Sequence, residues 1–341
     1  MLEGACTLLV VNAAHIKAVP GRKTDVHDAE WIATLLQHGL LRPSFIPTRE
    51  QRELRDLTRT RTSLTDERTA AVNRIQKVLE DANITRASVA TDIMGTSGRA
   101  ILAALLDGTA DAATMALLAR GKLRRTRAAL EQALEGRMSA HHRLLLTMYL
   151  EQSDLLDEHI ARLSAQIAER LRPYEADLQR LETIPGVGRR TAEILAAEMG
   201  LEMSRFPTAG HLAAWAGMCP GNHESAGKRT SGQRRQGNVA LRRALTEAAQ
   251  AAARTKKKDQ TYLRGQYGRL DARCGKKKAI VAVGHTILRI AHHLLSTHTT
   301  YQERELTRLD ERRQARRQQR ALDQLRALGY EVTLTPKEPA A

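Results

Sequence analysis

One serine of this sequence is set among cations in the way that a nucleophile for phosphate chemistry requires. Ser225 lies in the glycine-rich segment 217–238. A serine hydroxyl can attack a phosphodiester while nearby cations neutralise the charge that builds up on the phosphate. The alternative is a solvated loop in which Ser225 and Ser231 only turn the chain, and the sequence hardly separates the two. The basic residues of this constellation are Lys228, Arg229, Arg234, Arg235, Arg242 and Arg243.

A second motif could hold the backbone of a nucleic acid. The turn 185–188 reads Pro-Gly-Val-Gly and is followed by Thr-Ala at 191–192, which is the form of a helix-hairpin-helix. Gly186 and Gly188 would let the chain approach a phosphate, and the amides of the next helix could donate to it. Arg189 and Arg190 add positive charge. The alternative is an ordinary glycine-rich turn between two helices.

Two carboxylates near the start of the chain have spacing that could hold a metal ion. Asp25 and Asp28 are three residues apart on a predicted helix, so they share one face and could bind a divalent cation together with acids from elsewhere. Acids in a first helical turn also complement the helix dipole. From spacing alone, the structural interpretation is favoured.

The charge of the chain points to a polyanionic partner. The 341 residues carry 54 Lys and Arg against 38 Asp and Glu, a net charge of +16, and residues 227–278 contribute +13 of it with 16 cations and 3 acids. Nucleic acid is the first candidate, because we identify neither an amphipathic anchor nor the apolar run of ~20 residues that a membrane partner needs. The three cysteines form no close pair, which fits a reducing cytoplasm.

The elements that must position these residues are mostly helices. Thr24 and Gly39 bound a capped helix, and long helices are predicted from about Thr48 to Ile84 and from Met138 to Tyr174. Both long helices carry apolar stripes at three- and four-residue spacing, which is typical of a helical hairpin or coiled coil. The stripe residues are Leu54, Leu57, Leu64, Val72, Ile75 and Leu79, then Leu156, Ile160, Leu163, Ile167 and Leu171.

The remaining segments are a broken helical connector, a short apolar stretch and a tail. The connector 85–136 is predicted to break at its glycines, Gly95, Gly98, Gly108 and Gly121. Residues 6–12 and 44–47 are predicted to be short strands, too few to form a sheet, so their neighbours are expected upstream of Met1. An arginine-rich tail helix is expected to end near Gly329.

These pieces, in this order, resemble the insertion-sequence transposases known for a DEDD acidic motif. Residues 10–29 resemble the end of that family's RuvC-like domain, in which the Asp-x-x-Asp pair supplies the last two metal ligands. Residues 181–250 resemble its C-terminal transposase domain, in which the loop serine is the nucleophile. The resemblance therefore assigns metal binding to Asp25 and Asp28, and nucleophilic attack to Ser225.

The resemblance also implies cofactors and partners. It implies Mg²⁺ at the acids, a covalent phosphoserine link to DNA, a structured guide RNA, and two or four copies sharing composite sites. His223 could be a general base, although a metal-bound or DNA group would serve equally. The family's first Asp and its Glu precede the segment at which this sequence starts, so we expect an N-terminally truncated RuvC-like (RNase-H-like) domain and weak metal binding.

The sequence thus predicts a mainly α protein with a small α/β N-terminal part. We expect a partial RuvC-like domain at 1–50, a helical coiled-coil connector at 51–175, a serine transposase domain with a helix-hairpin-helix at 176–300, and a charged tail at 301–341. The expected function is a DNA transposase. The alternatives are a catalytically inactive, truncated nucleic-acid-binding protein and a structure-specific nuclease, and the nuclease would need a complete acidic cluster of its own.

Overall fold

A computed structural model describes most of the chain. The described residues are 9–11, 25–41, 46–84, 93–219, 223–225, 228–231, 237–255, 261–303, 319, 322–323 and 325–326. The chain divides into two compact units, Met1–Glu53 and Leu54–Ala341. Both are mostly helical in their described parts, in agreement with the predicted mainly α class.

The first unit contains the helix predicted after Thr24, while the predicted N-cap, Thr24, lies outside the described residues. Helix α1 spans Asp25–Gln37 and the chain leaves it through Gly39, which has a φ of +66°. Of the predicted strand 6–12 only residues 9–11 are described, and Val11 forms a single β-bridge. Ile46 and Pro47 are in no strand, and the rest of the predicted strand 44–47 lies outside the described residues. The α/β character of this unit stays a prediction.

The second unit is built on helices of very different length. Its long helices are α2, which starts at Arg49 in the first unit and ends at Asp81, and α6 over Ala140–Leu171. Between them lie α3 (Thr96–Asp107), α4 (Ala112–Leu117) and α5 (Arg127–Leu134). After α6 come α7 (Glu175–Glu182), α8 (Arg189–Met199), α9 (Ala209–Trp215), strands β1 (His223–Ser225) and β2 (Lys228–Ser231), α10 (Val239–Ala253), α11 (Tyr262–Cys274) and α12 (Lys276–Thr297). Short 3-10 turns occupy Gly121–Thr126, Arg172–Tyr174 and Met203–Arg205.

The two long helices run antiparallel within one chain. Arg68 Nε lies 2.5 Å from Asp157 Oδ1, and His142 Nε2 lies 3.1 Å from Asp81 Oδ2, so the numbers rise along α2 as they fall along α6. Most residues of the apolar stripes are therefore buried by contacts within the chain, and the stripes do not by themselves require a second copy of the protein. The stripe residues that are buried are Leu54, Ile75, Leu79, Leu156, Ile160, Ile167 and Leu171.

The buried side chains form two hydrophobic clusters. The larger joins helices α7 to α12 with the start of α2 and the end of α6. The smaller joins α3, α4 and α5 with the end of α2 and the start of α6. The predicted domain boundary at residue 175 stays a prediction. Leu54, Ile167 and Leu171 lie before that boundary, and they belong to the larger cluster together with the helices that follow it.

The connector departs from the sequence prediction at one glycine. Gly98 lies inside α3, so the predicted break there is wrong, whereas Gly95 and Gly108 do bound that helix. A Cβ at position 98 would stand 2.1 Å from the carbonyl oxygen of Ile93. The glycine therefore allows the preceding turn to close onto the helix, and its role is packing.

Helix α12 is the core helix of the larger cluster. Among the described residues it has the length and apolar composition of a membrane span, contrary to the sequence-based expectation that no such stretch exists. Val283, Ile287 and Leu288 are fully buried against the other helices. This packing accounts for the apolar residues of that side, because the side of a helix that faces a core is apolar.

Candidate nucleic-acid interface

Ser225 lies on a short antiparallel ribbon within the glycine-rich segment 217–238. It is the last residue of β1, and in the register of the ribbon it faces Lys228, while His223 faces Ser231. The strands are short and polar, so no alternation of apolar residues announces them in the sequence. The ribbon precedes α10 in the chain, and hydrogen bonds of Asn238 fix the start of that helix.

The N-cap of α10 is fixed by two hydrogen bonds. The side-chain oxygen of Asn238 accepts from the backbone N–H of Leu241 at 3.0 Å, which is the usual capping contact. Its amide nitrogen donates to Oε2 of Glu198 on α8 at 2.5 Å. The start of α10 is therefore anchored to a buried carboxylate.

Glu198 is the point at which three helices meet. It is fully buried and accepts a bidentate pair from Arg59 of α2, with Nε at 2.7 Å and the second nitrogen at 2.9 Å. Nε of Arg55 lies 3.5 Å from its other oxygen. The hydrogen bond to Glu198 raises the pKa of Arg59, whereas burial lowers the pKa of Arg55. A buried carboxylate needs this many donors, since burying a charge without partners is costly.

A cleft of about 720 Å³ opens where these helices converge. Its walls are the Thr58–Asp66 stretch of α2, the first two turns and the end of α8, and the first turns of α10. The volume falls within the range of sites that bind small ligands, about 300–1,000 Å³. The charged residues that line the cleft are Arg59, Arg61, Arg190 and Arg243, together with Asp66, Glu198 and Glu247.

Arg243 bridges the cleft from α10 to α2. Its two terminal nitrogens donate to the two carboxylate oxygens of Asp66, at 2.5 and 2.6 Å, and its Nε donates to Glu247 at 2.9 Å. The hydrogen bond with Asp66 raises the pKa of Arg243 and lowers that of Asp66. Arg243 and Asp66 are both about half exposed, so the pair is accessible to solvent.

A second ion-pair network contains Arg61, which lines the cleft, and Arg189, which does not. Arg61 is only 3% exposed, and one of its terminal nitrogens lies 2.7 Å from Oε2 of Glu193. Its other terminal nitrogen has no hydrogen-bond partner. Arg189 binds both oxygens of Glu175 at 2.6 Å and donates to Glu193 at 3.2 Å. This network commits Arg189 to protein carboxylates.

The predicted hairpin turn joins α7 to α8, and its two glycines have different surroundings. Gly186 has a φ of +89°, and a Cβ there would stand 2.3 Å from the carbonyl oxygen of Ala248 on α10. This glycine therefore lets the turn pack against α10. Gly188 is the N-cap of α8, with no atom within 4 Å of an added Cβ, and Arg190 beside it is exposed. The open side of the turn is thus the start of α8.

Other site residues from the sequence are only partly described. Asp25 and Asp28 lie in the first turn of α1, as predicted. The backbones of Lys228 and Arg229 belong to β2, while Arg234 and Arg235 lie outside the described residues. Within the described part of the chain, no group of three or more His, Cys, Asp or Glu side chains could hold a metal ion.

The contribution of α2 to this site was not evident from the sequence. Arg59, Arg61 and Asp66 were assigned only to a long, heavily charged helix, and Glu198 and Asn238 were not singled out. One signal was available, because arginines at 55, 59 and 61 sit among threonines on a helix that also carries an apolar stripe. Their partners are more than 130 residues away in the chain, as in the Arg59–Glu198 pair, so spacing could not identify them.

Comparison with known proteins identifies the family of the chain. Residues 178–264 match the family described as "Transposase IS116/IS110/IS902 family", and residues 1–84 match a DEDD transposase family of the IS110 type. A "Probable family 20 transposase" of Pseudomonas aeruginosa is 31% identical over 285 residues, covering 83% of this chain and 75% of the relative. The "Transposase for insertion sequence element IS1111A" of Coxiella burnetii is 27% identical over 298 residues, covering 86% and 72%. The chain therefore belongs to the IS110 family of DEDD-type insertion-sequence transposases.

Proposed function

We propose that this transposase cuts and rejoins DNA through a covalent link between Ser225 and a DNA phosphate. The observation that carries the proposal is the position of Ser225 at the end of β1, on the ribbon that precedes the anchored start of α10. The arginine-lined cleft opens at that helix start.

The proposed step is a transesterification at phosphorus. The Ser225 oxygen bonds to phosphorus, the bond from phosphorus to one DNA oxygen breaks, and the released DNA hydroxyl receives the proton of the serine. A DNA hydroxyl from another strand then reverses the step, so strands are exchanged without net hydrolysis. Cations such as Lys228 and Arg229 offset the charge on the phosphate, and His223 is a candidate for the proton transfer.

We also propose a metal ion at the acidic residues of the first unit. Asp25 and Asp28 share the first turn of α1, which puts both residues on one side of the helix, and carboxylate oxygens are the ligands that Mg²⁺ prefers. When bound, Mg²⁺ would supply stabilisation of the charge on the reacting phosphate. We assign the surrounding segment to a RuvC-like α/β fold by resemblance.

The partners proposed for this enzyme are DNA, a structured guide RNA and further copies of the chain, in the cytoplasm. The net charge of +16 favours nucleic acid, and Arg190 and Gly188 offer an open helix start for a backbone phosphate. Two or four copies are proposed by resemblance. In support, α6 leaves Leu144, Met148 and Leu155 more than half exposed along one side.

The test is formation of a protein–DNA adduct that survives denaturation. The assay uses the full-length protein. With Mg²⁺ and element-end DNA, we expect a covalent adduct that Ser225→Ala abolishes while DNA binding persists. Ser231→Ala, at the end of the neighbouring strand, is the matched control and should keep the adduct.

Three results would contradict the proposal. Loss of the adduct in Ser231→Ala would mean that Ser231, and not Ser225, is the nucleophile. Cleavage by Ser225→Ala with a free hydroxyl product would mean that water attacks. DNA binding by the full-length protein without any adduct would favour the alternative of a catalytically inactive nucleic-acid-binding protein.

A further inference from the structure

The cross-cleft pair between Arg243 and Asp66 has the geometry of a guanidinium bound to a phosphate. Both terminal nitrogens of Arg243 meet both oxygens of one carboxylate, at 2.5 and 2.6 Å. A guanidinium fork binds a carboxylate and a phosphate in the same two-point way. The carboxylate of Asp66 is therefore a chemical stand-in for the anionic oxygens of a phosphodiester.

The surroundings of this pair favour an anion. Four arginines line the cleft against three acids, and one of those acids, Glu198, is already saturated by Arg59, Arg55 and Asn238. The first turn of α10 also lines the cleft, and the N-terminus of a helix favours negative charge.

Two arginines of the cleft are not fully paired. Arg61 is nine-tenths buried and one of its terminal nitrogens lacks a hydrogen-bond partner. Arg190 is exposed at the start of α8, and no carboxylate lies within ion-pair distance of it among the residues that the structure describes. An incoming phosphate would therefore gain interactions that the acids of the cleft leave unmade.

We propose that the cleft between α2, α8 and α10 binds a phosphodiester group of DNA, and that Asp66 occupies its place on Arg243 in the free protein. Binding exchanges one anion for another on the same guanidinium. Asp66 thereby weakens nonspecific binding, since every strand must first displace it. The inference rests on the proposed function only in taking DNA as the strand, because it involves no covalent step.

The test is a set of binding titrations that compares Asp66→Asn, Arg243→Ala and the double variant. A labelled duplex and a labelled RNA hairpin are titrated with full-length protein by fluorescence anisotropy at several salt concentrations. Arg243→Ala should weaken DNA binding roughly tenfold and lower the salt slope by about one, the effect of one lost phosphate contact. Asp66→Asn should tighten it roughly three- to fivefold, the value of an exposed ion pair. A gain in affinity cannot come from misfolding.

The double variant separates this mechanism from general electrostatics. If Asp66 acts through Arg243, Asp66→Asn should change affinity less than about twofold in the Arg243→Ala background, because coupled residues are not additive. The matched control is Glu169→Gln at the end of α6, which removes an exposed acid that pairs with Arg172 and does not line the cleft. It should leave DNA affinity unchanged.

Several outcomes would overturn the inference. One is that Asp66→Asn raises DNA affinity as much in the Arg243→Ala background as in the original protein. Another is that Glu169→Gln raises DNA affinity as much as Asp66→Asn does. A third is that Arg243→Ala leaves DNA affinity unchanged. Effects seen with the RNA hairpin alone would overturn the assignment to DNA. None of these results depends on Ser225, so the titrations are repeated in Ser225→Ala protein, where the same differences are expected even if no adduct ever forms.

Discussion

The turn between α7 and α8 allows a comparison of two glycines that are two residues apart. Gly186→Ala forces a side chain into a φ of +89° and places Cβ 2.3 Å from the carbonyl oxygen of Ala248. The backbone conformation costs about 1–3 kcal/mol, and overpacking against a helix backbone costs about 1–3 kcal/mol more. We therefore expect Gly186→Ala to lower the free energy of unfolding by about 2–6 kcal/mol.

Gly188→Ala is the control, with a very different expectation. Gly188 has a φ of −99° and open space where the Cβ would go. Only its preference as an N-cap is lost, which costs at most about 1 kcal/mol. Urea denaturation at constant slope measures both variants. Equal losses in the two variants, or a loss below about 0.5 kcal/mol for Gly186→Ala, would refute the packing of this turn against α10.

Three further predictions concern burial, capping and pH. Ile167→Ala, at a fully buried position, should lower the free energy of unfolding by about 2–5 kcal/mol, whereas Leu155→Ala, which is half exposed, should cost less than about 1 kcal/mol in the same denaturation assay. Asn238→Ala should cost about 1–2 kcal/mol through the lost cap of α10, and a loss near zero would mean that the cap does not form. Burial, followed by the charge of Arg289, lowers the pKa of His285 in the folded protein. As the pH falls, the unfolded chain therefore binds a proton at His285 before the folded protein does. Stability should therefore fall as the pH drops below about 6.5 and level off once the folded protein is also protonated, and His285→Gln should remove this part of the decline.

The long helices and the hairpin turn could be predicted because their signals are local. Residues of the stripes on α2 and α6 recur at helical spacing, and the observed bounds differ from the predicted ones by at most three residues. Gly98 shows the limit of such reasoning, since a glycine in a sequence does not reveal whether it ends a helix or lets another segment approach it.

The cleft could not be predicted, because it is made of long-range pairs. Arg59 is 139 residues from Glu198, and Asp66 is 177 residues from Arg243. The sequence indicated a basic surface on α10, but acids from α2 neutralise part of it. The ribbon at Ser225 escaped prediction for a different reason, since its short strands lack the apolar alternation by which strands are recognised.

The Asp66–Arg243 pair also sets the order in which the protein can assemble during synthesis. The two residues are separated by 177 positions, and ribosomes add about 5–20 residues per second, so Asp66 precedes Arg243 by about 10–35 s. Glu193 and Glu198, the partners of Arg61 and Arg59, are made before Arg243, whereas the first turns of α10 that complete the cleft come later. The cleft therefore cannot form before α10 is made, and a nascent or broken chain that ends before α10 leaves Asp66 without Arg243.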